Sequence, residues 1–382
     1  MVNIIICTFK MHYKFGYLLN KRYIFLKYIN YGAFSQIWLI YDILFNDYCI
    51  AKIIDSDNIE TGRNEINILR KLKRLLISNN NLINNVLLFR EIIESEKEII
   101  IIENLQDLNL KDLIYDYKLE TNEKEKIIEI INKQLDPVLL FLKNNSILHT
   151  DIKPENIFIK IQNNKQNKEF DDFIKDIKNL KCKPKDKIKE INRLSNIYYQ
   201  HVYLSNSSSE SDSDDYYDIN TDSDISSDYD IEDDINEYLV QQIYKKKEKE
   251  EKKKKINFNI NDCIFSIGDF GNAIDYSTTE NIDKINCLKY HDLQTRYYRH
   301  PNIIMRSKDI LDSDLFAFKL TIEEIKNQSV FIEPFKSYGN STDREHLRLL
   351  INTNQCLECT KGRKTELFFN YEPLTKKYYL SK

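Results

Sequence analysis

His149-Thr150-Asp151-Ile152-Lys153-Pro154-Glu155-Asn156 stands between an apolar run, Pro137-Val138-Leu139-Leu140-Phe141-Leu142, and the strand-like Ile157-Phe158-Ile159. The octet gathers a carboxylate, an ammonium and an amide into one short turn. Phosphoryl transfer asks little covalent chemistry of a protein: one carboxylate orients the attacking hydroxyl, and further oxygens hold magnesium against the phosphates. Asp151 suits the first task and Asn156 part of the second. A surface turn carrying these letters by chance is the competing reading, and partner motifs decide between the two.

Those partners lie on both sides. Tyr23-Ile24-Phe25-Leu26-Lys27-Tyr28-Ile29 reads as a strand and runs into Asn30-Tyr31-Gly32-Ala33-Phe34-Ser35-Gln36-Ile37, the layout of a phosphate-covering hairpin. Asn30, Gly32, Ser35 and Ile37 are its candidate nucleotide contacts, with only Gly32 a glycine. Tyr48-Cys49-Ile50-Ala51-Lys52-Ile53-Ile54 is a further strand, placing Lys52 at the phosphates and Ile50 against the base. Thirteen residues on, Glu65 sits among Ile66, Leu69 and Leu72 at helical spacing and is the expected partner of Lys52. The buried-strand run Ile99-Ile100-Ile101-Ile102 leads to Glu103-Asn104-Leu105. There Ile102 is expected to guard the pocket, while Glu103 and Leu105 contact the base through backbone groups. Helices are predicted over Leu110 to Tyr115 and Lys124 to Lys143.

Downstream, Cys263-Ile264-Phe265-Ser266-Ile267-Gly268 meets Asp269-Phe270-Gly271-Asn272-Ala273, where Asp269 is the second candidate magnesium ligand with Asn156. Asp292-Leu293-Gln294-Thr295-Arg296-Tyr297-Tyr298-Arg299-His300-Pro301-Asn302 reads as a substrate-facing segment, and Asp314 as the brace beneath the octet.

Composition narrows the class. A chain of 382 residues, 42% hydrophobic, is ample for a real core. Seven scattered cysteines show no disulfide framework, no secretory signal is recognisable, and the apolar start Val2 to Phe9 is too short to span a bilayer. These features point to an intracellular protein of cytoplasm or nucleus. Cys356-x-x-Cys359 is half a zinc site, read as two unpaired thiols. The net charge of −4 conceals an acidic tract, Asn206 to Glu237, with thirteen Asp or Glu and no Lys or Arg. Lys245 to Lys255 holds eight Lys against three Glu, a nuclear-import candidate or a solvated charge run. The remainder is near neutral, so neither nucleic acid nor membrane is the expected partner. Residues 162–262 are expected to form a charged, disordered spacer with a short helix around Phe170 to Leu194. Ser209 and Ser211 within it suit an acidophilic kinase.

His-Thr-Asp-Ile-Lys-Pro-Glu-Asn at 149–156, Phe34-Ser35, Gly271-Asn272-Ala273 and Gln294-Thr295-Arg296-x-Tyr298-Arg299 together resemble the SR-protein kinases, a branch of the CMGC protein kinases. The resemblance implies an α+β, bilobal protein-kinase fold. One lobe has a five-stranded antiparallel sheet and the Glu65 helix, and the other is mainly helical. It divides the chain into a lead-in (1–20), a first lobe (21–105), a second lobe in two parts (106–161 and 263–382) and the spacer between them. The implied activity is transfer of the ATP γ-phosphoryl group to Ser or Thr of a protein, arginine/serine-rich in that family, with ATP and Mg2+ as cofactors. The implied catalytic set is Asp151, Lys153, Asn156, Lys52 and Glu65.

Departures from the pattern carry their own expectations. Thr150 replaces the Arg that grips an activation-loop phosphate, so activity is expected without that phosphorylation. Asn302 replaces a Glu that pairs with an Arg near the end of the second lobe, a lobe the sequence presents as shortened. Losing both partners leaves no unpaired buried charge, and the expectation is either reduced stability or a further protein covering the exposed face. A pseudokinase scaffold, motivated by Asn30, Ile50 and the shortened lobe, is the alternative reading.

Overall fold

The computed structural model describes residues 13–32, 35–162, 170–180, 187–199, 253–277, 293–307, 309–334, 342–352, 364–372 and 377–380. The acidic tract, Ser209, Ser211, Asp292 and the Cys356–Cys359 pair lie outside them, as do Ala33, Phe34 and Lys245 to Lys252. Among the described residues no helix is long and apolar enough to cross a membrane.

The chain divides into two compact units. The smaller comprises residues 1–27, 40–47 and 167–254. In it β1 (Leu18–Leu19) pairs antiparallel with the first half of β2 (Tyr23–Tyr31), Leu18 opposite Ile24. Tyr13 stacks on Phe25 with ring centroids 4.5 Å apart, and Phe15 packs on Phe173 at 4.7 Å. The end of β3 (Gln36–Asp42) brings in Asp42, which is fully buried and takes a two-pronged bond from Arg22, at 2.9 Å and 2.7 Å. Two helices, Asp171–Lys178 and Lys187–Tyr199, occur where one short helix was expected.

The larger unit comprises residues 28–39, 48–166 and 255–382. The sheet order is β2, β3, β4 (Asp47–Asp55), β6 (Glu98–Asn104), β5 (Phe89–Glu94), the number of strands that the resemblance implies, although no strand was read from the sequence at Phe89–Glu94. With β1 the full sheet has six. Helix α1 (Ile59–Ile77) extends the predicted segment at both ends and buries Ile66, Leu69, Leu72 and Leu76 at three- and four-residue spacing. Beyond the sheet the unit is mainly helical. Helix α2 (Leu110–Asp116) opens on a capping box between Asn109 and Asp112. Helix α3 (Thr121–Asn144) opens on another, in which Glu123 accepts from the Glu120 backbone at 2.8 Å. It buries Ile127, Ile131, Leu135, Val138, Leu139 and Leu142 along one face, each such burial contributing about 1.5–3 kcal/mol.

A two-residue strand β8 (Ile147–Leu148) delivers the octet, and β9 (Ile157–Ile161), which pairs with the short β7 (Leu108–Asn109), leaves it. Strand β10 (Cys263–Ile267) pairs antiparallel with β9, Phe265 opposite Ile159, so the 269–273 segment emerges beside the octet. Helix Ser313–Asn327 packs beneath through Ala317, Phe318 and Ile325, with Lys319 exposed.

Candidate active site

The octet is held from below. Both carboxylate oxygens of Asp314 are used: Oδ2 accepts from the His149 backbone N–H at 2.6 Å and Oδ1 from that of Thr150 at 2.9 Å. These bonds stabilise a left-handed Thr150 (φ 62°), a conformation costly for a β-branched residue. The Thr150 hydroxyl donates to the Asn272 carbonyl at 2.7 Å. His149 is fully buried, bonded through Nε2 to the Gly268 carbonyl at 2.9 Å and packed edge-on against Phe270 at 4.7 Å. Two loops distant in sequence are thus tied together at three points. At Gly268 a Cβ would lie 2.8 Å from the Phe158 ring, so only glycine permits this approach.

Within the turn, Lys153 Nζ donates to Asp151 Oδ2 at 2.8 Å and to the Thr295 hydroxyl at 3.0 Å. The Thr295 hydroxyl donates in turn to Asp151 Oδ1 at 2.6 Å. Asn156 Nδ2 closes the turn on the Asp151 carbonyl at 2.8 Å. Thr295 has no spacing relation to Asp151 that could have announced this contact, since 144 positions separate them.

Opposite the turn, Lys52 Nζ lies 2.7 Å from both Glu65 Oε1 and Asp269 Oδ1. Burial alone would lower the Lys52 ammonium, but Asp269 and Glu65 outweigh it and hold it well above the usual lysine range. Lys52 in turn holds the Asp269 carboxyl down to about 2. Asp269 occupies the left-handed region (φ 61°), which turns its side chain back toward Lys52. Asn64 Nδ2 donates to the Ala273 carbonyl at 2.9 Å, fixing α1 to the same segment.

A cleft of about 510 Å³ runs between these groups. Asn30, Gly32, Ser35, Ile37, Ile50, Lys52, Glu65, Glu103, Leu105, Asp151, Lys153, Asn156 and Asp269 all line it. The Gly32 backbone N–H is engaged by the Ser35 carbonyl at 2.7 Å. Ile102 pairs with Ala51 in the β4–β6 ladder and is fully buried, outside the lining of the cleft, whereas Glu103, opposite Ile50, belongs to that lining.

Around the site, buried Asn302 uses its amide to donate to the Asp309 carbonyl at 2.6 Å, so no charge is stranded at that position. Arg299 donates to the carbonyls of Leu293 and Gln294, at 3.0 Å and 2.8 Å. Glu324, unsignalled in the sequence, accepts from the hydroxyls of Tyr115 and Tyr298. Among the described residues, no three His, Cys, Asp or Glu side chains converge as a metal-ligand set.

A family model described as "Protein kinase domain" matches residues 23–201. A protein of Acanthamoeba polyphaga mimivirus named "Putative serine/threonine-protein kinase L205" is 24% identical over 403 residues, covering 88% of this chain and 72% of that protein. "Serine/threonine-protein kinase prpf4B" of Dictyostelium discoideum is 28% identical over 152 residues, 39% of this chain and 18% of the relative. "Serine/threonine-protein kinase SKY1" of Saccharomyces cerevisiae is 27% identical over 155 residues, 37% of this chain and 20% of the relative. The sheet with its Lys52–Glu65 helix, the mainly helical remainder and the cleft between octet and Lys52 make this the fold of a protein kinase domain.

Proposed function

We propose that this chain is a protein serine/threonine kinase, transferring the ATP γ-phosphoryl group to a protein hydroxyl. The observation that carries the reading is one cleft walled by the Lys52–Glu65–Asp269 trio on one side and the Asp151–Lys153–Asn156 turn on the other. The site suits ATP with magnesium. Asp269 Oδ2 and Asn156 Oδ1 have no hydrogen-bond partner among the described residues, and both residues line the cleft. Magnesium takes one or two carboxylates of this kind and completes its shell with phosphate oxygens and water. When bound, the metal neutralises charge on the transferring phosphate.

The chain's own residues do the rest. Asp151, aimed by Thr295 and Asn156, accepts a hydrogen bond from the acceptor hydroxyl and orients it. Lys153 supplies positive charge beside the same oxygen, and Lys52, kept cationic by its two carboxylates, binds phosphate oxygens. The resemblance to the SR-protein kinases favours an arginine/serine-rich substrate. The Thr150 replacement favours activity without phosphorylation of the 278–292 region. Radiolabelled transfer to an arginine/serine-rich peptide tests this: wild type incorporates phosphate and Asp151→Ala loses it by at least a hundredfold. Equal incorporation by the two would remove the enzyme reading and leave a scaffold.

A further inference from the structure

Glu65 reaches Lys52 at one rotation of α1 about its axis, and two side chains on another stripe of that helix set the rotation. Asn64 and Lys71 stand seven residues apart, so they share a face, two turns or about 10 Å apart along the axis. Asn64 donates to the Ala273 carbonyl at 2.9 Å. Lys71 Nζ lies 2.8 Å from Asp275 Oδ2 and donates to the Asn145 carbonyl at 3.2 Å. With Lys52 joining Glu65 to Asp269, α1 meets the 269–275 segment at three successive heights.

Of these anchors Lys71 joins the most of the site. Asn145 caps α3, just before β8 delivers the octet. Asp275 belongs to β11 (Ile274–Asp275), which pairs antiparallel with β8, Asp275 opposite Ile147. One ammonium therefore fastens the Glu65 helix to the two-stranded ribbon that joins the octet to the 269–273 segment. The Lys71 and Asp275 side chains are 24% and 27% exposed, and an ion pair so open to water adds little to global stability. Its effect is on orientation. A single tie at Asn64 leaves α1 a point to turn about, and a second tie two turns away removes that freedom.

Resting on the phosphotransfer reading above, we propose that Lys71 is a positioning residue: by holding α1 on the β8–β11 ribbon it keeps Glu65 on Lys52, and so keeps Lys52 aimed at phosphate oxygens. The test is steady-state phosphate transfer from ATP to an arginine/serine-rich peptide by the full chain, with melting curves for each variant. Lys71→Met is expected to lower kcat about fivefold, the most that an ion pair of this exposure shifts an equilibrium. The KM for the peptide stays unchanged, since α1 acts through Lys52, and the melting midpoint falls by at most about 4 °C. Lys71→Arg keeps the cationic donor and retains the wild-type kcat. In a Glu65→Gln background, where the group being positioned is already altered, Lys71→Met should cost less than about twofold more. Asp275→Asn takes the place of Lys71→Met if the latter fails to melt cooperatively. Should Lys71→Met keep the wild-type kcat, or lower it as much in the Glu65→Gln background, the positioning role falls while phosphotransfer stands. Should wild type transfer no phosphate, the phosphotransfer reading falls and this role with it.

Discussion

Replacing Lys52 by Met strands Glu65 inside the fold, and the cost can be worked from the geometry. The Glu65 side chain is 2% exposed, while that of Asp269, the other carboxylate on Lys52, is 45% exposed and can ionise into the cleft. Removing one partner of a buried ion pair costs about 3–5 kcal/mol. A stranded carboxylate escapes most cheaply by taking up a proton. From a normal glutamate value that costs about 3.7 kcal/mol at pH 7 and only about 1 kcal/mol at pH 5. The folded-state carboxyl of the variant is therefore raised above its unfolded value, and its stability deficit shrinks as the pH falls between those limits. Denaturant midpoints of wild type and Lys52→Met at pH 7 and pH 5 measure the gap directly. Lys52→Met with Glu65→Gln should restore much of the loss and abolish its pH dependence. A deficit of the same size at both pH values, or no rescue by Glu65→Gln, would refute this reasoning.

Three further outcomes are expected. Asp314→Ala leaves the His149 and Thr150 N–H groups buried without acceptors, costing about 1–3 kcal/mol for each; melting and phosphate incorporation should both fall. Thr150→Val keeps the branched shape but loses the hydroxyl that reaches Asn272, and should lower stability by about 1 kcal/mol while Thr150→Ser restores it. Asp269, held down to about 2 by Lys52, contributes stability that is present above its ordinary value of 3.8 and lost as pH falls toward 2. Acid melts of Asp269→Asn should lose that part of the wild-type decline.

Much of the site was legible because its residues sit in short motifs with fixed local geometry. The octet, the 269–273 segment and the Lys52 strand each read correctly as loop or strand, and the Glu65 helix only needed lengthening. Asp314 could be expected as a brace because its helix follows a recognisable segment. What the sequence left open has a physical pattern. Ile102 and Glu103 were both expected at the pocket, yet neighbouring positions of a strand face opposite sides of its sheet, and the ladder sets Ile102 against Ala51 and Glu103 against Ile50. A run of four isoleucines carries no alternation from which the register could be fixed. The contacts of Thr295 and Glu324 were unannounced for another reason: their partners, Asp151 for one and Tyr115 and Tyr298 for the other, are brought near by tertiary packing and obey no spacing rule.

The bond from Thr150 to Asn272 fastens the octet to the 269–273 segment with a group present from the moment the chain folds. A clamp that closes on a loop phosphate needs another enzyme to write that phosphate, and a phosphatase can erase it. The threonine hydroxyl is encoded in the chain, so this fastening needs no modification to form. On the proposed reading, the newly folded chain is already competent.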